Sequence, residues 1–436
     1  MIARLVIALG LLLAALPVRA ALDIEEVTTP GGLTAWLVED RSLPFVAIDL
    51  RFSGGSAIDP PDRPGAVNLM TALLEEGAGT RDASGFQAEA EALAARFQFR
   101  TRRDTVAISA RMLTENRAES VALLRDALTV PRFDADAVER VRAQVLAGLA
   151  QDAQDPEAQA SDAFFAAMFG DHPYGHPPEG NATAVAALTA DDLRAAHAAA
   201  LSRGNVHIGV AGDIGAEELA PLLDALLGGL PATGAPLPGP PPAPPPGGLA
   251  VMPFDTPQSV AVFGQAAIAE DDPDFIATFV INQIVGGSGF ESRLMSELRE
   301  KRGLTYGVYS WLAPLDGAPL WMGQVASSNA TMAQAVDLIR EQWADVAGGG
   351  VSQAELDAAK TYLTGAYPLR FDGKDRIASI LSGMQQSGRP IDYVLDRNAM
   401  VAAVTLDDIR RVAGRVMDAE ALRFVVVGQP ADMVGQ

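Results

Sequence analysis

Few residues in this 436-residue chain are equipped for chemistry. It has four histidines, His172, His176, His197 and His207, and no cysteine. Disulfides, thiolate zinc sites, Fe–S clusters and thiol nucleophiles are therefore excluded. His172 and His176 stand four apart, the spacing that lets two imidazoles on one helical face share a metal. Pro173, Gly175 and Pro177 impose a turn on that stretch, so the two rings need not converge. His197 falls in a helical pattern, His207 in an apolar strand, and residues 208–436 contain no histidine. All four read as structural. Gly286, Gly287 and Gly289 cluster, but no GK[ST] follows them. They let the backbone either turn sharply or approach a ligand, and as an oxyanion hole they lack a neighbouring nucleophile. No G-x-S-x-G elbow and no dinucleotide fingerprint is present.

The elements that must position such residues fall into two halves. Lys+Arg number 33 against 55 Asp+Glu, a net charge of −22, and no basic stripe offsets the average. Nucleic acids and anionic membranes are thus poor partners. A 49% hydrophobic composition excludes intrinsic disorder. Residues 1–20 combine Arg4, an apolar run from Leu5 to Leu16 and a V-x-A ending at Ala20, the pattern of a secretory signal peptide, with an uncleaved anchor as the alternative. The expected destination is export, most simply to a bacterial periplasm. Between Pro231 and Pro246 nine of sixteen residues are proline, and Gly247-Gly248 follow. Residues 231–248 therefore read as a semi-rigid linker between an N-terminal domain, 21–230, and a C-terminal domain, 249–436.

The halves echo each other. Leu188-Thr-Ala-Asp-Asp-Leu-Arg194 matches Val404-Thr-Leu-Asp-Asp-Ile-Arg410, and Val206–Gly212 matches Leu422–Gly428, both at an offset of 216 residues. Each pair predicts a helix capped by Thr189 or Thr405, with acids in its first turn, followed by a buried strand. Period-2 alternation predicts strands at 33–38, 45–52 and 105–112, and the second half repeats the mixture with strands near 259–266, 307–312, 320–326 and 423–427. Helical periodicity covers 66–76, 87–97, 115–128, 136–150 and 191–201. Strands in hairpin-like groups and helices in runs predict an α+β fold: two homologous domains, each an antiparallel sheet with helices packed on one face.

With these features in place the chain resembles the pitrilysin/insulinase zinc peptidases, in the short two-domain form of processing-peptidase-like proteins. The resemblance spans essentially the whole mature chain. Its most specific string is GGSGFESRLMSELREKRGLTYGVYS, Gly286 to Ser310; HPYGHPPEG from His172 and the Gly212-Asp213 turn are supporting matches. Members that cut peptides carry H-x-x-E-H on a first-domain helix, two histidines for zinc and a glutamate that activates the bound water. Here the corresponding string places Asn68 and Ala72 at the histidine positions and Thr71 at the glutamate position. The family's distal glutamate ligand is replaced as well, by Ala147 or Gly148. The resemblance thus implies a degenerate zinc motif and no cofactor in this chain.

The same resemblance gives Arg299 and Tyr306, seven residues apart, a role in projecting toward a catalytic zinc. Guanidinium and phenol can both donate hydrogen bonds to a substrate carbonyl or carboxylate. The plainer alternative is a helix-face ion pair of Arg299 with Glu297 or Glu300 and a Tyr306 that packs at a strand edge. A chain without the metal half but with the Arg/Tyr half implies a non-catalytic, substrate-binding subunit. Its partner would be a homologous H-x-x-E-H subunit that carries the zinc, and its substrates extended peptides, with Gly286, Gly287 and Gly289 beside their path. The alternative is a non-enzymatic peptide-binding or scaffold homodimer of the cell envelope.

Overall fold

The computed structural model describes residues 22–287, 289 and 291–433. The expected leader at 1–20 lies outside the described residues, and no helix among them is long and apolar enough to cross a membrane.

The first half contributes β1 (Glu25–Thr28), β2 (Thr34–Glu39), β3 (Phe45–Ser53), a small hairpin of β4 (Gly77–Ala78) and β5 (Arg81–Asp82), β6 (Arg96–Thr101), β7 (Thr105–Leu113) and β8 (Val206–Gly212). The second contributes β9 (Gly248–Pro253), β10 (Gln258–Ala266), β11 (Thr305–Ala313), β12 (Leu320–Ser328) and β13 (Arg423–Gly428). The main sheets run β1-β2-β8-β3-β7-β6 and β9-β13-β10-β12-β11. With the outer β1 set aside, the two orders are the same. So is the strand sense, since β2 with β8 and β9 with β13 are parallel while the remaining neighbours are antiparallel. β6 and β11 are therefore equivalent edge strands. The internal repeat is structural as well as textual.

Around the first sheet lie α1 (Ala66–Ala72), α2 (Ala83–Ala92), α3 (Arg117–Thr129), α4 (Ala135–Asp152), α5 (Pro156–Phe169), α6 (Ala182–Ala187), α7 (Ala190–Ala200) and α8 (Ala216–Leu227). The second half supplies α9 (Phe275–Gly286), a π-helical turn (Met295–Glu300), α10 (Met332–Ala347), α11 (Gln353–Ala366), α12 (Lys374–Gln386), α13 (Tyr393–Ala403) and α14 (Leu406–Val416). The repeat's caps form as expected. Thr189 accepts from the Asp192 amide at 3.2 Å and Thr405 from the Asp408 amide at 3.1 Å, and each aspartate returns the bond. The following strands end alike, on Gly212 (φ 147°) and Gly428 (φ 149°). A side chain at Gly212 would sit 2.7 Å from the Val46 Cα, and one at Gly428 2.8 Å from the Ser259 Cα.

Two helical expectations require correction. The 87–97 pattern splits: α2 stops at Ala92, Ala94 turns at φ 50°, and Arg96 and Phe97 begin β6, where R-F-Q-F-R-T alternates with period two. The 66–76 pattern ends at Ala72, ahead of the turn at Gly77 (φ 122°).

Each sheet packs its own half's helices on one face, around cores centred on Leu50 and Phe52 in the first half and on Phe263, Trp321 and Trp343 in the second. The opposite face is covered by one helix from the other half. Phe164, Phe165 and Met168 of α5 pack against Val260, Val262 and Val425, while Ile377, Ala378 and Leu381 of α12 pack against Trp36, Ala47 and Ala211. α5 and α12 occupy equivalent places in the repeat, so the exchange is reciprocal. α12 lies so close that a Cβ on Gly209 would collide with the Ala378 carbonyl. Its polar side is tied down too: Lys374 Nζ, 3% exposed, donates to the carbonyls of Asp40 and Leu43, and Ser382 donates to the buried Asp49 carboxylate.

Residues 231–247 carry no helix or strand. They lie along both halves, held by His172 Nε2 donating to the Gly239 carbonyl at 3.1 Å and Arg423 donating to Pro246 at 2.6 Å. Beneath them the β6–β7 and β11–β12 turns meet, the Asp316 amide donating to Asp104 Oδ2 at 3.2 Å and the Tyr174 hydroxyl to the Asp316 carbonyl at 3.0 Å.

Candidate functional site

Helix α1 presents the degenerate zinc-motif positions. It begins after Asp59, whose two carboxylate oxygens accept from the Gly65 and Val67 amides at 2.8 Å each and so satisfy donors that a helix start leaves open. Burial pushes this carboxyl up to about 7 despite those two bonds. One turn on, Thr71 is 1% exposed. Its hydroxyl donates to the Val67 carbonyl at 2.7 Å and accepts from Thr101 Oγ1 at 2.8 Å. Where a general base would stand there is a hydroxyl already spent on backbone and neighbour. Asn68 and Ala72 flank it, half-buried, and Gly148 on α4 faces open space. An amide, a hydroxyl, a methyl and a hydrogen offer no set of donors for zinc, so the residues present do not fit the metal. Among the described residues no three of His, Cys, Asp and Glu are grouped to hold a metal ion.

The histidines do not rebuild the site. His172 and His176 flank a short turn, His172 serving the linker contact while His176 is exposed. His197 Nε2 donates to the Leu128 carbonyl at 2.8 Å, and His207 pairs with Ser53 Oγ at 3.2 Å. Burial lowers the pKa of both rings, helped at His207 by the nearby Arg51.

Asn68, Thr71 and Ala72 instead form one wall of a cavity of about 260 Å³, and residues 99–102 of β6 and the following turn form the other. Arg100 and Arg102 belong to that second wall. Sequence reasoning missed this pocket, although the strand beside it stands out: Arg96, Arg100, Arg102 and Arg103 are four arginines in eight residues of a chain with net charge −22. The expectation that no basic stripe offsets the average needs that exception.

In the second half Gly286 closes α9 against β11, where a Cβ would lie 2.7 Å from the Ser310 amide nitrogen. Gly287 is similarly crowded by Gln283. Gly289 has φ 114° with open space around it; its neighbours Ser288 and Phe290 lie outside the described residues. The first two glycines thus serve close internal packing and the third a turn. Arg293 braces the next turn, bonding Glu355 and Asp345 at 2.5 Å each and the Gly350 carbonyl.

Arg299 sits half-buried in the π-helical turn, a geometry that recurs at functional sites. Glu297 is bound by Lys301 and Arg302 at 2.5 Å each. Tyr306 is 86% exposed. The β11–β12 register shifts between Thr305 and Val308, and Thr305 Oγ1 donates to Ala326 while accepting from the Gly307 amide. This bulge leaves Tyr306 unpaired at the start of an edge strand. The alternative in which Tyr306 packs at that edge does not hold for a ring so exposed.

Comparison with known proteins agrees with this arrangement. Residues 35–181 match the family described as Insulinase (Peptidase family M16), and residues 187–363 match the Peptidase M16 inactive domain. The chain belongs to peptidase family M16. The crystal structure titled peptidase M16 inactive domain, from Pseudomonas fluorescens, superposes on this M16 chain with TM-score 0.88 at 30% identity, covering 95% of this chain and 99% of that one. A Helicobacter pylori protein named non-peptidase homolog YmxG is 27% identical over 76% of this chain and 77% of its own length. An uncharacterized zinc protease of Mycobacterium leprae is likewise 27% identical, over 90% of this chain and 88% of its own. Relatives named as peptidase and as non-peptidase thus occur at equal distance. The residues at the motif positions place this M16 chain with the inactive, non-peptidase kind.

Proposed function

We propose that this chain is the substrate-binding, non-catalytic subunit of an exported, heterodimeric M16 zinc peptidase. In this reading it binds extended peptides and supplies Arg299 and Tyr306 to a zinc held by a homologous H-x-x-E-H chain. The observation that carries the reading is the contrast between the two halves. The zinc-motif positions are chemically blank, whereas Tyr306 stands 86% exposed on a bulge with Arg299 in the turn before it. An exposed phenol seven residues after an arginine suits a substrate carbonyl polarised by another chain's metal. The open edge of β6 supports peptide binding, because it offers unpaired backbone donors and acceptors to an added strand. Export follows from the leader pattern of residues 1–20, and the cofactor of the assembly is the partner's zinc.

The test is reconstitution. The mature chain alone should contain less than about 0.1 zinc per molecule and cleave no peptide. When it is mixed with an H-x-x-E-H homologue, peptide cleavage should rise by about 10-fold or more over that homologue alone, and Arg299→Ala with Tyr306→Phe should abolish the gain while co-elution persists. Stable self-association with no gain on mixing would overturn the heterodimer in favour of a scaffold homodimer.

A further inference from the structure

The face of β6 turned away from α1 supports a further step, which rests on the peptide-binding reading above. Thr101 bonds to Thr71, and Phe97 and Phe99 pack on the first core, so these alternate residues face the helix. Arg96, Gln98, Arg100 and Arg102 therefore point to the opposite side of the sheet, where all four are exposed. The three arginine side chains have no ion pair or hydrogen bond among the described residues. Arg103, just beyond them, is the contrast: its guanidinium lies 3.5 Å over the Phe165 ring and donates to the Tyr174 carbonyl at 3.2 Å. Acids beside that outward face are already engaged, Asp375 by Arg111 and Asp49 by Arg51, Ser109 and Ser382. Arg96 even stands directly opposite Arg111 across the sheet, a like-charge pairing that costs the fold stability.

Charged side chains on an edge strand can simply guard it against unwanted pairing. The repeat argues for more than that. In β11, the equivalent edge strand, Val308 and Leu312 face the second core, and the outward positions hold Tyr309, Trp311 and Ala313. The fold thus keeps the same edge in both halves and places positive charge on one of them. The backbone of that edge is free. Arg102 donates its amide to the Thr105 carbonyl at 2.8 Å, so residues 96, 98, 100 and 102 bond to β7, and Phe97, Phe99 and Thr101 turn their peptide groups outward. A peptide strand added there, in either direction, sets every second side chain beside the arginine row, about 5 Å away between Cβ atoms. Its other side chains fall on the α1 side, where Ala72, Phe99 and the bonded Thr71 hydroxyl line the cavity of about 260 Å³.

We propose that β6 selects extended peptides in which acidic residues alternate with apolar ones, the acids lying beside Arg96, Arg100 and Arg102 and the apolar side chains beside Ala72 and Phe99. In a chain of net charge −22 this preference is local and runs against the field of the whole molecule.

The experiment measures binding of end-capped nonapeptides to the full mature chain by fluorescence anisotropy. Three peptides alternate leucine with glutamate, glutamine or lysine, and a fourth sorts the same leucines and glutamates into two blocks. The alternating glutamate peptide should bind about 10-fold tighter than the glutamine peptide, from about 3-fold at each of two cross-strand pairs, and the lysine peptide should bind weakest. The block peptide should lose most of that advantage. Arg100→Gln/Arg102→Gln should bring the glutamate-to-glutamine ratio near 1, and Arg100→Glu/Arg102→Glu should place lysine above glutamate, a reversal that a guarding role would not produce. Both side chains are exposed and unpartnered, so the melting temperature should stay that of the parent. Equal binding of the glutamate and glutamine peptides by the parent chain overturns the acidic preference and leaves the peptide reading standing. Equal binding of the block and alternating glutamate peptides would also overturn it, by showing that charge alone is read. Failure of all four peptides to bind overturns the reading and the inference together.

Discussion

Gly209 is where the exchanged helix α12 comes closest to the first sheet, and a single methyl there tests whether the exchange holds the molecule together. In Gly209→Ala the new Cβ would stand 2.7 Å from the Ser382 nitrogen and nearer still to the Ala378 oxygen, against an ordinary contact of at least 3.4 Å. Both obstacles are backbone, so neither can swing aside. The helix must retreat by at least 0.7 Å to clear the nitrogen, and further to clear the carbonyl. Bonds that fasten α12 are short, with Gln385 accepting from the Ile208 amide at 2.6 Å and Gln386 donating to Thr105 at 2.6 Å. A retreat of that size draws them to the limit of bonding distance. Overpacking alone costs about 1–3 kcal/mol, and weakening two part-buried bonds adds about 1 kcal/mol each. The expected loss is therefore at least about 3 kcal/mol, read from urea unfolding followed by tryptophan fluorescence. Gly148→Ala is the matched control, because nothing lies within 4 Å of its Cβ and it stands inside a helix. It should gain about 0.5–1 kcal/mol from helix propensity. If both substitutions fall within about 0.5 kcal/mol of the parent, the close seating of α12 is wrong.

The remaining expectations concern charge and caps. Asp59 has its folded pKa raised to about 7 from 3.8, so the native state keeps a proton that the unfolded state has released across that window. Its contribution to stability is fully present below pH 3.8 and is lost as pH rises to about 7, a change of about 4 kcal/mol at most. Compared with Asp59→Asn, the parent should thus gain stability as pH falls from 7 to 4, and a flat difference would refute the shift. Glu355 is the opposite case. Burial raises its pKa, but bonds from Arg293 and Ser352 outweigh that and hold it at about 2, so its contribution is present above pH 4.5 and disappears as pH falls toward 2. Glu355→Gln should remove that acid sensitivity, measured as the pH dependence of the melting temperature. Thr189→Ala and Thr405→Ala should each cost about 1 kcal/mol in chemical denaturation, and the double variant their sum, since the caps serve separate cores.

The parts of this fold that the sequence made legible are those whose pattern is local. Strands such as Phe45–Ser53 and Thr105–Leu113 alternate because each has one face on its own half's core. The capped helices after Thr189 and Thr405 carry their start signals within four residues. Helix α5 was not legible: its apolar face, Ala160, Phe164, Phe165, Met168 and Phe169, is interleaved with Ala163, Ala166 and Ala167, and the sheet it packs on belongs to the other half. β6 was hidden because the helical period of α2 runs on smoothly until Ala94 breaks it. At the site, the loss of every zinc donor could be read from residue types alone. The exposure of Tyr306 depends on a bulge, and the pocket beside α1 on which strand lies at an edge, and both are properties of pairing that no short stretch encodes.

The exchange of α5 and α12 also speaks to ancestry. Equivalent helices that each complete the other half's sheet are what two copies of one short chain make when they trade an arm across a two-fold axis. Duplication and fusion of such a gene would yield this arrangement in one chain, with the proline segment as the splice. A one-chain descendant of a symmetric pair is free to let its copies diverge. One copy could blank its metal donors while the other kept an exposed tyrosine, a division of labour that two identical subunits could never have written into a single gene.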